Sequence, residues 1–235
     1  MKNKKKNFNY VPDSRGLIVL REPHSSISEQ YRAIRTNILF SHDAGECLSV
    51  LFTSDMPSAG KSTTVANVAV VFAKTGKKTL IIDADLRRPT GHYTFEVANQ
   101  SGLSTALVND VDVNEIVKET SVKSLDIITS GPIPPNPSEL LSKKKMTVLI
   151  EELKTRYDII LIDSPPIVPV IDAQVLSKLV DGSVIVTNVE ENDWKTLQEA
   201  KQLIEKGNEN IFGVVLNNKK NIQSDNSYYH YGRGG

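Results

Sequence analysis

The feature that most constrains this chain is a short, wholly apolar run that ends in an acid, and it occurs twice. One is Leu80-Ile81-Ile82 before Asp83; the other is Ile159-Ile160-Leu161-Ile162 before Asp163. Runs this short, apolar at every position, suit strands buried on both faces, and such strands belong to parallel sheets covered by helices. Similar runs predict strands at Leu48 to Thr53, Thr79 to Asp83, Leu125 to Ser130, Ile159 to Asp163, Ser183 to Thr187 and Phe212 to Leu216. Between them lie helical stretches: Ser62 to Thr75, closed by Gly76 as a left-handed cap, then Met146 to Arg156 and Trp194 to Lys206. The alternation predicts an α/β fold with a parallel sheet flanked by helices on both faces. A leading helix is expected over Ser25 to Phe40, with Ile27, Tyr31, Ile34 and Ile38 along its inner stripe.

Between the first strand and its helix stands Ser54-Asp55-Met56-Pro57-Ser58-Ala59-Gly60-Lys61-Ser62-Thr63. This matches a P-loop except that Asp55 takes the place of the usual first glycine, so the fold expected is P-loop NTPase-like. Backbone amides of Pro57 to Thr63 and the helix N-terminus would surround the phosphates of ATP, although Pro57 itself carries no N–H. Lys61 would reach the β- and γ-phosphates and the Ser62 hydroxyl would ligate Mg²⁺. Gly60 allows close backbone approach, where a Cβ would collide with phosphate. Strand C-termini are where open α/β sheets bind ligands, so Asp83, Asp85 and Asp163 should emerge beside this loop, with Asp163 as the Walker B aspartate. The blander reading is that Asp83 and Asp163 only cap the following turns.

At 235 residues the chain has room for one sizeable domain, and Lys plus Arg balance Asp plus Glu at 28 each. With no net charge, no whole-protein field favours nucleic acid, and no nucleic-acid partner is expected. The expected organisation is a basic, extended segment over 1–24, the P-loop domain over 25–217 and a flexible, tyrosine-rich tail over 218–235. The cluster Lys2, Lys4, Lys5 and Lys6 reads either as a solvated terminus or as a contact with an anionic membrane surface. The lone Cys47 excludes an internal disulfide and is expected to be a small buried apolar residue in reducing cytosol. No run of about 18 apolar residues occurs, so neither a span nor a signal peptide is expected.

In this order, Gly60-Lys61-Ser62, Asp83-Ala84-Asp85-Leu86-Arg87 and Asp163-Ser164-Pro165-Pro166 resemble the bacterial tyrosine kinases, the BY-kinases, of capsule and exopolysaccharide synthesis. The resemblance covers nearly the whole chain. It implies ATP and Mg²⁺ as cofactors, with Asp83 and Asp163 organising the metal alongside Ser62 and Asp85 near the phosphoryl acceptor. Arg87 either steadies the transferring group or pairs with Asp85. Glu29, Arg32 and Arg35 match a Glu-x-x-Arg-x-x-Arg sequence in the leading helix that implies a subunit contact; the alternative is internal salt bridges on a solvated face. Tyr228, Tyr229 and Tyr231 match a C-terminal cluster that implies phosphorylation between subunits, and otherwise read as a docking peptide. Ser58 and Ala59 stand where many members have glycine and an acid, which leaves the fine geometry of the loop open.

The resemblance further implies a homo-oligomeric ring and a transmembrane activator of the chain-length-determinant type that recruits a cytoplasmic chain to the inner face of the membrane. A cognate tyrosine phosphatase and protein tyrosine substrates are implied as well. The Pro-rich segment Ser130 to Pro137 serves either activator docking or a rigid turn before a helix near Ser138. Asn217 either touches adenine or caps a loop. The competing family is the partition and division-site ATPases, which carry a second lysine five residues before the P-loop lysine, where this chain has Met56.

Overall fold

The structure is a computed structural model and describes residues 16–41, 47–191 and 193–218. The basic cluster Lys2 to Lys6 and the tyrosines 228, 229 and 231 lie outside the described residues.

Strands β1 (Leu48–Ser54), β2 (Thr79–Asp83), β3 (Val117–Glu119), β4 (Leu125–Ile128), β5 (Ile159–Asp163), β6 (Gly182–Asn188) and β7 (Ile211–Asn217) form one sheet in the order β3-β4-β2-β5-β1-β6-β7. All neighbours are parallel except β3, which runs antiparallel to β4. The strand β3 was not expected: three half-exposed residues carry no periodic signal.

Ten helices are described: α1 (Ile18–Arg21), α2 (Ser26–Phe40), α3 (Lys61–Ala73), α4 (Gly91–Thr94), α5 (Leu103–Val108), α6 (Val113–Ile116), α7 (Pro137–Leu141), α8 (Lys144–Lys154), α9 (Asp172–Ser177) and α10 (Trp194–Glu205). Strand residues alternate between two cores. Leu80, Ile82, Ile160 and Ile162 join α5 and α7 to α10 on one face, while Ile81, Ile159 and Leu161 join α1, α2 and α3 on the other. Being covered on both faces is what makes the central strands apolar at every position.

Helix α3 is buried almost all round because it lies between the sheet and α1 and α2. It ends as expected, with Gly76 in the left-handed region at φ +87° and its N–H on the Ala73 carbonyl.

The expectation of an extended segment through residue 24 is corrected. Leu17 and Val19 are fully buried against α3, and the buried Asn67 staples the segment down. Its amide donates to the Gly16 carbonyl at 2.8 Å and its Oδ1 accepts the Val19 N–H at 3.1 Å. Lys74 adds a bond to the Val19 carbonyl at 2.8 Å. The inner stripe of α2 is corrected too. Ile38 is buried, and Tyr31 and Ile34 pack against the core, but Ile27 is half exposed. Ser28 is buried in its first turn instead, held by Ser25 and by the Glu22 carbonyl. Cys47 is half-buried rather than buried, and burial raises its thiol to about 11, far from a reactive thiolate.

Candidate active site

The end of β1 turns into α3 through residues 55–60. Two residues of this turn adopt left-handed backbone, Ser58 at φ +63° and Gly60 at φ +83°. A Cβ on Gly60 would also lie 2.0 Å from the Asn217 amide nitrogen. The glycine is therefore required by the loop's own packing, independently of any phosphate.

The loop is fastened from two strands. Asp55, the departure from the usual motif, is an internal brace: its carboxylate accepts the Met56 N–H at 2.8 Å and the Thr187 hydroxyl from β6. Burial raises the Asp55 carboxyl, and those hydrogen bonds work against the rise. From β7, Asn217 donates to the Ala59 carbonyl at 2.9 Å and so caps the loop. Thr53 and Ser164 tie β1 to the turn after β5, with bonds to the Pro165 and Phe52 carbonyls at 2.9 and 3.0 Å.

Beneath the loop the Lys61 ammonium pairs with the Asp163 carboxylate, and it approaches the Ser62 hydroxyl at 3.2 Å. Lys61 and Asp163 are both buried. Asp83 is the register partner of Asp163 on the adjacent strand. One Asp83 oxygen accepts the N–H groups of Thr90 and Gly91 at 3.2 and 2.8 Å; the other is buried with no partner among the described residues. Burial, then the Asp163 charge, pushes the Asp83 carboxyl up to about 7, against the pull of the Gly91 amide and Lys61. Among the described residues Lys61 thus pairs with Asp163 alone, while Asp83 beside it feels the ammonium only through space.

Asp85 lines the cleft above them and accepts the N–H groups of Arg87 and Arg88 at 3.3 and 2.9 Å, which shapes the turn after β2. Arg87 departs from the expected pairing with Asp85. Its side chain pairs neither with Asp85 nor with the cleft: Nε and Nη2 donate to Asp172 at 2.9 and 3.1 Å, and Nη2 to Ser138 at 2.9 Å. Asp172 is fully buried at the start of α9, so the arginine clamps the β2 turn to α7 and α9. The Pro-rich segment leads directly into α7, with Pro137 at its first position, as expected of a rigid turn.

These elements enclose a cleft of about 600 Å³. Ser54, the P-loop residues 57–63 and Pro166 form part of its lining, and Asp85, Arg88, Thr90, Tyr93 and Thr94 form the wall that leaves β2. Arg88, Thr90 and Thr187 carry no motif of their own; only the proximity of Arg88 and Thr90 to Asp85 offers a signal in the sequence.

The donor set fits a magnesium nucleotide. Among the described residues no three His, Cys, Asp or Glu side chains converge into a ready-made metal cage. A hydroxyl, one unpartnered carboxylate oxygen and a phosphate-binding loop are instead what Mg²⁺ needs when substrate phosphates complete its shell. In the leading helix, Arg32 pairs with Glu29 and donates to the Pro23 carbonyl at 2.6 Å, while the buried Arg35 Nε has no partner among the described residues. No helix of the described residues is long and apolar enough to cross a membrane.

A family model described as an AAA domain matches residues 57–219. The tyrosine-protein kinase YwqD of Bacillus subtilis (strain 168) is 44% identical over 218 residues, covering 93% of this chain and 92% of that one. The kinase domain of the Escherichia coli tyrosine kinase ETK superposes with a TM-score of 0.84 at 33% identity, covering 99% of this chain and 88% of that one. The chimerical protein CapA2B2 superposes at 0.81 with 44% identity, covering 86% and 88%. With the P-loop, the paired strand-end aspartates and these relatives in agreement, the chain belongs to the bacterial tyrosine kinases of the P-loop class, the BY-kinases.

Proposed function

We propose that this chain transfers the γ-phosphate of ATP to protein tyrosines, its own Tyr228, Tyr229 and Tyr231 first among them. The observation that carries the reading is the buried Lys61–Asp163 pair, with the unpartnered oxygen of Asp83 on the adjacent strand, behind a cleft that Lys61, Ser62 and Asp85 line.

Lys61 and the loop amides hold the phosphates. The Ser62 hydroxyl, Asp83 and Asp163 would hold Mg²⁺, directly or through water, and the metal would supply charge neutralisation for the transferring group. Asp85 orients or deprotonates the attacking phenol, which needs help because its pKa of about 10 leaves little phenolate at neutral pH. Positioning and electrostatics supply most of the rate in such transfers. Arg87 contributes by holding the wall that carries Asp85, rather than by touching phosphate.

In this reading the tail of one subunit enters the site of its neighbour within a ring to which Glu29, Arg32 and Arg35 contribute. The partly unsatisfied Arg35 supports that part. Each phosphotyrosine adds about 1.5 to 2 negative charges, so a modified tail is repelled from the acidic site and from other tails, which loosens the ring. A transmembrane activator holds the cytoplasmic chain at the inner membrane face, a cognate phosphatase resets it, and the cycle regulates capsular or exopolysaccharide synthesis and export.

Incubation with γ-labelled ATP is the test. Label on tyrosine supports the proposal; label released only to water would make the chain an ATP-driven switch, and label retained on nucleotide would make it a regulator that only binds.

A further inference from the structure

Tyr93 stands apart from the other described tyrosines. Tyr31 and Tyr157 are half-buried, and their hydroxyls bond to Thr64 and, at 2.8 Å, to Asp126. Tyr93 is 61% exposed, yet it lines the 600 Å³ cleft. Its ring lies against the His92 ring, with centroids 3.9 Å apart and planes at 40°, so the neighbour limits how it can swing. Short helix α4, which carries it, begins at the Thr90-Gly91 amides that grip Asp83. The wall of Asp85, Arg88 and Tyr93 thus brings an aromatic face to the same cleft that Lys61 and Ser62 line.

An exposed aromatic on a polar wall does nothing for the core, but it is suited to receive another ring. Offset or edge-to-face aromatic pairs are favourable beyond simple burial, and a guanidinium on the same wall adds attraction for a ring face. Position argues for the acceptor over the nucleotide base. The acceptor phenol must reach the terminal phosphate, beside Lys61 and Asp85, whereas the base lies at the far end of the triphosphate.

We propose that Tyr93, with Arg88 on the same wall, receives the aromatic ring of the acceptor and thereby selects tyrosine over serine. The inference rests on the kinase reading above.

The test uses the full chain and a synthetic peptide of residues 222–235, which offers Ser224 and Ser227 beside Tyr228, Tyr229 and Tyr231. With Tyr93→Leu, the KM for peptide should rise roughly three- to tenfold while the KM for ATP stays within about twofold, and phosphoserine should gain on phosphotyrosine. Tyr93→Phe, which keeps the ring, should behave like the unmodified chain. An equal rise in the KM for ATP would assign the ring to the base. A loss with Tyr93→Phe would assign the role to the hydroxyl, and an unchanged Tyr93→Leu would remove the residue from recognition; each overturns the inference while the kinase reading stands. An unmodified chain that phosphorylates no tyrosine overturns both.

Discussion

Asn217, the last residue of β7, donates its amide to the Ala59 carbonyl at 2.9 Å and occupies the space beside Gly60 where a side chain would otherwise fit. The far end of the sheet thereby holds the phosphate loop in shape. Asn217→Ala should weaken ATP binding by roughly fivefold, as expected for one lost hydrogen bond of about 1 kcal/mol. Gly60→Ala should abolish binding, because its Cβ meets Asn217 and its backbone is left-handed. In the double variant the collision with Asn217 is gone, and the lost hydrogen bond and the backbone cost, about 1 kcal/mol each, remain, so denaturant unfolding should show strong non-additivity between the two substitutions.

Lys61→Met should abolish phosphate transfer while the fold persists, because the sheet and both cores are independent of the ammonium. It also leaves the buried Asp163 without its cation, next to Asp83 on the adjacent strand. The variant should therefore lose on the order of 3 kcal/mol in denaturant unfolding at neutral pH. Retained transfer would remove the lysine from the chemistry.

Arg87 is the counter-charge of a fully buried carboxylate, Asp172. Arg87→Ala should cost about 2 kcal/mol, discounted because the guanidinium is itself partly exposed. Arg87→Met combined with Asp172→Leu should recover most of that stability. If transfer recovers with it, the arginine acts only by bracing the β2 turn; a stable but inactive double variant would return it to the phosphoryl group.

Much of this architecture can be read from sequence because burial on both faces leaves a mark on every residue of a strand. The runs at Thr79 to Asp83 and Ile159 to Asp163 coincide with β2 and β5, and the strand-end acids lie side by side in register. What sequence does not reveal are contacts made by single side chains across long separations. Nothing near Arg87 points to Asp172, because the pair forms only when α9 packs beneath the turn. Helix α1 is four residues long and lacks periodicity, so its place in the core depends on Asn67, a polar residue within an apolar helix. Asp55 looked like a flaw in the P-loop because its partner Thr187 lies on another strand.

Asn67 itself is testable. Asn67→Leu leaves the buried Val19 N–H without its partner and removes one of the two bonds at the Gly16 carbonyl, with a loss of about 1 to 3 kcal/mol expected in urea unfolding. Because Gly16 also lines the nucleotide cleft, ATP affinity should fall as the segment loosens. Unchanged proteolysis near residue 16 would show that the staple is dispensable.

Asp181 carries a pH signature outside the active site. Burial pushes its carboxyl up, but the Ser49 N–H and hydroxyl, both at 2.7 Å, and Lys154 at 3.2 Å outweigh it and hold the group below the usual range. A depressed folded-state pKa gives stability that is present above the unfolded value of about 3.9 and disappears as pH falls through the lower folded value. Asp181→Ala should therefore cost about 1 to 2 kcal/mol at pH 7, a modest figure because the carboxylate is partly exposed. The gap between variant and unmodified chain should narrow on acidification below about pH 4. Parallel stability curves from pH 7 to pH 2 would show that this carboxylate does not stabilise the fold through its charge.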